Sequence, residues 1–146
     1  MKIAIPVNDL LTLYKHNPLT APKFAIYDIE SVNNEVYFSL HSILENKLSK
    51  HKNHLFSTQE IMCSCDLKDK NDLLHKCEHY SLLELIGDCS YLLADRYCEN
   101  TKKSMKQGGV ILFRIPTIIN KLEIAIKNFL IGGSIANKIK HIHHAS

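Results

Sequence analysis

A change of hydrophobic period along the chain constrains its fold more than any other feature of the sequence. Three segments with strand character come first, at residues 2–7, 23–30 and 36–43, and the second of them alternates apolar with polar side chains. Turn-forming residues between 32 and 35 predict an antiparallel hairpin between the second and third segments. Breakers such as Asn8, Pro18 and Pro22 predict a loop over residues 8–22.

From residue 72 onward, helical and extended patterns alternate. The pattern predicts helices up to Gly87, over 97–107 and from Pro116 to Gly132, separated by strands at 89–94 and 110–115. Crossovers between parallel strands are right-handed, so the helices cover the faces of one sheet. The predicted order βββαβαβα is that of an α/β fold with a mixed β-sheet flanked by helices, as in the ribonuclease-H-like architecture.

The length of 146 residues is that of one domain. We expect residues 1–133 to form this domain, with a long insertion at about 44–71 where lysines and acidic residues show little apolar periodicity. Residues 134–146 are basic and histidine-rich, and we expect them to form a flexible tail.

Charge and hydropathy exclude several classes of protein. The net charge of +3 is small and scattered, which argues against a nucleic-acid partner. No apolar run reaches the roughly 18 residues that a membrane span needs. The N-terminus shows no signal-peptide pattern, and five cysteines are an odd number for a disulfide framework, so we expect reduced thiols and a cytoplasmic location.

The sequence also lacks the patterns of common enzymes. All five glycines fall at or after position 87, so no phosphate-cradling loop follows the first strand. A two-metal nuclease needs clustered carboxylates, whereas Asp88 and Asp95 flank the fourth predicted strand without evident partners. With no nucleophile–base pair either, we expect that the chain is not an enzyme.

Cysteine and histidine are the unusual residues of this chain. The candidate metal ligands between positions 63 and 79 are Cys63, Cys65, His75, Cys77 and His79. If residues 75–79 are helical, the two histidines share one face, a spacing that can present two imidazoles to one metal; if they are extended, both histidines and Cys77 share one side. These residues are therefore candidates for a zinc site, or they are surface histidines with partly buried cysteines.

Two other cysteines have different settings. Cys89 begins an apolar predicted strand, which indicates a core position. Cys98 follows Asp95, Arg96 and Tyr97 just past a strand end, where ligands bind in open α/β sheets. There Arg96 is suited to an anionic ligand and Cys98 to a soft metal. The other interpretation is a helix-start cysteine beside a solvated arginine.

Several segments together resemble a known family. Residues 1–7 (MKIAIPV) and 24–28 (FAIYD), then 85–93 (LIGDCSYLL), 106–110 (KQGGV) and 123–130 (EIAIKNFL), are similar to the dinitrogenase iron–molybdenum cofactor biosynthesis family, which includes NifX, NafY and the C-terminal domain of NifB. The resemblance spans residues 1–43 and 72–133. It implies a ribonuclease-H-like fold and a nitrogen fixation-related role in binding and carrying a metal–sulfur cluster that contains iron, molybdenum or both.

The chain departs from the family pattern at two turns. Asn17-Pro18-Leu19 stands where the family often has His-Phe-Gly, and Arg96-Tyr97-Cys98 replaces a glycine-containing turn. We expect His16, Arg96 and Cys98 to bind the cluster, and the partners to be metallocofactor assembly or acceptor proteins. The alternative is a regulatory or interaction domain that binds zinc, or no metal, through its Cys/His-rich segment.

Overall fold

The computed structural model describes residues 1–47, 73–132 and 141–145, with the backbone alone for residues 73–78. Its strands are β1 (Lys2–Val7), β2 (Lys23–Val32), β3 (Glu35–Glu45), β4 (Tyr91–Ala94), β5 (Ile111–Arg114) and β6 (His141–His144). Its helices are α1 (Leu73–Ile86), α2 (Glu99–Gln107) and α3 (Leu122–Gly132), with a short 3-10 helix at Pro18–Thr20. None of the described helices is long and apolar enough to cross a membrane.

The described strands form one mixed sheet in the order β5-β4-β1-β2-β3-β6. The pairs β1–β2 and β2–β3 are antiparallel, whereas β1–β4, β4–β5 and β3–β6 are parallel. Asn33 and Asn34 both adopt positive φ in the two-residue turn between β2 and β3, which suits the twist of a tight hairpin. The α/β class and the predicted hairpin are confirmed.

Apolar side chains on the two faces of the sheet form two cores. One core joins Ile3 and Ile5 of β1 to Phe129 of α3. The other joins Ala4 of β1 to Leu82 of α1 and Met105 of α2. Successive residues of a strand face opposite sides, so β1, which is buried from Ile3 to Val7, contributes to both cores, with α3 on one face and α1 and α2 on the other.

The third helix begins later than the sequence predicted. Pro116 accepts a hydrogen bond from the Ile119 N–H (3.0 Å), and α3 starts at Leu122, so residues 116–121 are a turn. Ile118, expected on the buried stripe, is 85% exposed. A residue from another segment stabilises this turn, because the Asn120 carbonyl accepts a hydrogen bond from the Leu13 N–H (3.4 Å).

The C-terminal residues also differ from the flexible tail that we expected. His141–His144 form β6, which pairs in parallel with Glu35–Phe38 of β3. Ile142 packs against the α3-side core, and the His144 ring stacks on Phe38 at a centroid distance of 4.6 Å. A histidine-rich sequence is thus compatible with an edge strand because one apolar residue reaches the core and the aromatic rings stack.

The observed strand β3 continues into the start of the insertion predicted at about 44–71. β3 extends to Glu45, and buried Asn46 follows it, donating from Nδ2 to the carbonyls of Leu19 and Ala21 (2.9 and 2.8 Å). The remainder of the predicted insertion, from residue 48, lies outside the described residues.

Candidate functional site

Cys98 occupies the N-cap of α2. Its backbone is extended, and its Sγ accepts a hydrogen bond from the Thr101 N–H at 3.4 Å. The first N–H groups of a helix have no partner within the helix, so a side chain at this position satisfies one of them. The cap brings the half-buried thiol of Cys98 to the end of the loop that leaves β4.

The imidazole of His79 lies directly against this thiol. His79 Nε2 and Cys98 Sγ are 3.1 Å apart, although the two residues belong to different helices. His79 is 1% exposed, so the contact is shielded from solvent on the α1 side.

A hydrogen-bonded path connects the cysteine to the predicted loop at residues 8–22. Thr101 Oγ1 lies 3.2 Å from Cys98 Sγ and donates to Asn17 Oδ1 at 3.3 Å. Asn17 Oδ1 also accepts the Leu19 N–H (3.1 Å) and so caps the 3-10 helix. The loop and the start of α2 are therefore in contact through buried polar atoms.

His16 lies in this loop, one residue before Asn17. Its ring meets the ring of Tyr14 edge-on, with centroids 5.5 Å apart. The Tyr14 hydroxyl lies 2.6 Å from Thr20 Oγ1, and burial raises the pKa of Tyr14 to about 12, so its phenol stays neutral near pH 7. His16 thus contacts the neutral ring of Tyr14 and directly precedes Asn17, which belongs to the hydrogen-bonded path to Cys98.

The structure places Arg96 beside Asp95. Arg96 Nε is 4.0 Å from Asp95 Oδ2, and the arginine side chain is 66% exposed. Asp95 is buried and accepts a hydrogen bond from the Thr117 hydroxyl at 2.9 Å. The guanidinium therefore stays accessible to solvent, two residues before Cys98.

The other predicted metal ligands divide into two groups. Cys63 and Cys65 lie outside the described residues. Residues 75–79 belong to α1, so the extended alternative is wrong; His75 and His79 are one helical turn apart, and position 77 is about half a turn from both. Within the described part of the chain, no three His, Cys, Asp or Glu residues are grouped so that they could hold a metal ion.

Cys89 has a different environment. It is 5% exposed within the core shared with α1 and α2, and burial raises the pKa of its thiol to about 11. The expected core position is confirmed.

The sequence placed Cys98 and His79 in different candidate sites, with His75, Cys77 and His79 able to close over the cluster; the structure brings Cys98 and His79 into contact and adds two residues that were missed. Cys98 came from the predicted cluster site and His79 from the predicted zinc segment, yet these two are in contact. Asn17 and Thr101 were not predicted. Their local signals are the Asn-Pro start of a helical turn and the threonine three residues after a helix cap.

Comparisons with known proteins show the fold. The sequence matches no protein-family model, and no curated protein matches it. The crystal structure of PH0822 superposes with a TM-score of 0.54 at 14% identity, covering 96% of this chain and 95% of that one. An NMR structure from Thermotoga (TM1290), provisionally described as a NifB protein of the DUF35 family, gives 0.50 at 22% identity over 90% and 88%. At such identities the likeness extends to the fold alone.

Proposed function

We propose that the chain binds and carries a metal–sulfur cluster of the iron–molybdenum cofactor or precursor type, and catalyses no reaction. The supporting observation is the 3.1 Å contact between His79 Nε2 and Cys98 Sγ. Thiolate and imidazole bind iron and other soft or borderline metals, whereas magnesium and calcium prefer oxygen ligands. The donor pair thus suits the metals of a sulfur cluster.

Within the described residues one thiol and one imidazole are in contact, and both are ligand types that bind iron. A cluster retains its own sulfides, so a small number of protein bonds is enough to hold it. Few bonds also leave the cluster exchangeable, which delivery to an acceptor requires.

The neighbouring residues have complementary roles in this proposal. Arg96 keeps a permanent positive charge and an exposed guanidinium, which would offset the negative charge of a cluster. His16 would approach from the loop that Asn17 ties to α2. The partners are then proteins that assemble or accept the cluster, in the reducing cytoplasm that keeps the Cys98 thiol available.

The fold agrees with the proposal. An antiparallel β1–β2–β3 meander with β4 and β5 added in parallel beside β1 is the strand arrangement that we propose to be ribonuclease-H-like. The Thermotoga protein described as a NifB protein has the same general fold, which makes a nitrogen fixation-related role reasonable. Fold likeness does not specify chemistry, so the function has to be tested at the site.

Zinc binding by a regulatory domain is the second candidate. The helical spacing of His75 and His79 favours it, because one helical turn separates two imidazoles that can bind one ion. The two functions differ in the metal bound and in its dependence on sulfide.

The test is anaerobic reconstitution of the full-length chain with iron and sulfide, with and without molybdate. The variants are Cys98→Ser and His79→Gln, and their matched controls are Cys89→Ala in the core and exposed His41→Gln. We expect Cys98→Ser and His79→Gln each to lower bound iron and sulfide about tenfold, since losing even an outer-shell partner of a metal ligand typically lowers affinity by about 10–100-fold. Iron, sulfide and visible charge-transfer absorption are measured.

The control variants show whether a lower cluster content results from the loss of a ligand or from a general disturbance of the fold. Cys89→Ala and His41→Gln should retain the wild-type content of cluster. Equal loss in Cys98→Ser and Cys89→Ala would contradict the assignment of the ligand. Stoichiometric zinc that is independent of sulfide would favour the regulatory domain.

A further inference from the structure

A cavity of about 300 Å³ lies between α2 and the edge strand β5. Tyr97 lines it from the loop before α2, Lys102 and Lys106 line it from the helix, and the remaining wall is formed by residues 109–112. Neither the thiol of Cys98 nor the imidazole of His79 is among the lining groups. The cavity is therefore separate from the Cys98–His79 pair.

The charge of this cavity is positive and unbalanced. Lys102 and Lys106 are one helical turn apart, a spacing at which like charges destabilise a helix. Neither ammonium group forms an ion pair with a carboxylate of the described residues, and Glu99 is the only acidic residue of α2. An anion between the two lysines would remove their mutual repulsion.

The β5 side of the cavity supplies further hydrogen-bond donors. The Ile111 and Ile115 N–H groups donate towards β4, to the carbonyls of Ser90 and Ala94 (both 2.9 Å). Strand alternation then directs the Leu112 N–H to the outer edge, which no strand of the described residues covers. An anion in the cavity can thus meet two ammonium groups and a backbone donor.

The rest of the lining is apolar or aromatic. Val110 is buried and Leu112 is half-buried, and both belong to the core on the α2 side of the sheet, whereas alternation along β5 leaves the backbone of Ile111 to line the cavity. Tyr97 adds a half-buried aromatic ring. Pockets that combine apolar walls with a few convergent polar groups are typical of small-molecule sites.

We propose that this cavity binds a small organic anion, in which a phosphate monoester or a carboxylate is attached to an apolar or aromatic group. The anionic group lies between Lys102 and Lys106, and the apolar group lies on Val110, Leu112 and Tyr97. Inorganic phosphate lacks the apolar part and a neutral aromatic alcohol lacks the charge, so each binds more weakly than a molecule that has both. This proposal is independent of the proposed cluster binding.

Proton–nitrogen NMR titration of the full-length chain tests the proposal with four probes: phenyl phosphate, benzoate, inorganic phosphate and phenol. We expect saturable shifts of the Gly109, Ile111 and Leu112 amides with phenyl phosphate or benzoate, and the stronger of the two identifies the anionic group. Inorganic phosphate and phenol should each bind at least about tenfold more weakly, a difference of about 1.4 kcal/mol.

Charge variants show whether binding occurs in this cavity. The double variant Lys102→Gln/Lys106→Gln should weaken the binding of phenyl phosphate at least about tenfold. Lys103→Gln, an exposed lysine of the same helix outside the cavity, should change it less than about twofold.

Three results would overturn the proposal. The first is the absence of saturable shifts at the cavity amides. The second is equal binding of inorganic phosphate and phenyl phosphate, which would indicate an unspecific anion effect. The third is an equal effect of Lys103→Gln and the double variant.

Discussion

At the scale of single residues, the thiol of Cys89 and the hydroxyl of Tyr14 are two buried groups that make stability depend on pH. Burial raises the pKa of Cys89 to about 11 and that of Tyr14 to about 12. In the unfolded chain both groups lose their protons at lower pH. Between the unfolded and folded pKa values the unfolded state therefore binds fewer protons, and the free energy of unfolding falls as pH rises.

Cys89→Ala tests this linkage. Below about pH 8.5 the thiol is protonated in both states and contributes no pH dependence. From there to about pH 11 the wild-type chain should lose up to about 1.4 kcal/mol of stability per pH unit through this group, and the variant should lack that part of the slope. Urea unfolding at a series of pH values measures it. Parallel curves for the two proteins would contradict the expected effect of burial.

Asn17 is the residue on which the contact between the loop and α2 depends. Its Oδ1 accepts hydrogen bonds from the Thr101 hydroxyl and the Leu19 N–H, both at buried positions. Asn17→Ala leaves two buried donors without this acceptor, so we expect a loss of about 1–3 kcal/mol in thermal or urea unfolding. Exposed Asn120→Ala is the control and should change stability by less than about 0.5 kcal/mol. Equal effects would show that the Asn17 contacts do not stabilise the fold.

Sequence reasoning identified single site residues but not their pairing. Cys98 was predicted from its place after a strand, and His79 from its spacing to His75. Their contact depends on how α1 packs against α2, which no local pattern records. Asn17 and Thr101 were missed for the same reason, since 84 positions separate the two ends of their hydrogen bond.

At the scale of secondary structure, β6 is the element with the clearest test. Ile142 packs against the α3-side core from an edge strand. Ile142→Ala removes three buried or partly buried carbons, and we expect it to lower the free energy of unfolding by about 1–2 kcal/mol. Ile118→Ala, at a side chain that is 85% exposed, is the matched control and should have almost no effect.

The stability of the Ile142→Ala variant also determines which form of the chain should be used to measure metal binding. If Ile142→Ala and Ile118→Ala unfold alike, β6 does not contribute to the core, and the C-terminal histidines can be removed from metal assays. If Ile142→Ala is destabilising, removing the C-terminus would damage the sheet. The full-length chain is then the correct material.

Most elements could be predicted from the sequence because their signals are local. The strands near residues 2–7, 23–30 and 36–43 have strong apolar runs, and the Asn33-Asn34 turn fixes the hairpin. The start of α3 was misplaced because Pro116 is as suitable for a turn as for a first helical position. β6 was missed because its basic, histidine-rich sequence has a single aliphatic residue, Ile142, and it forms through pairing with β3.

At the scale of the whole molecule, both candidate sites involve the α1–α2 side of the sheet. The Cys98–His79 pair lies where these helices meet, and the cationic cavity lies between α2 and β5. The opposite face is occupied by the α3-side core. The strand order explains this placement, because β4 and β5 extend the sheet beyond β1 and their connecting helix α2 contributes to both sites.

The most direct test of cluster binding is the iron, molybdenum and acid-labile sulfide content of full-length protein purified anaerobically without metal-affinity chromatography, together with its visible spectrum. The account predicts iron with sulfide in near-stoichiometric amounts and charge-transfer bands, all lowered about tenfold in Cys98→Ser. Protein without iron and sulfide, both as purified and after reconstitution, would contradict it.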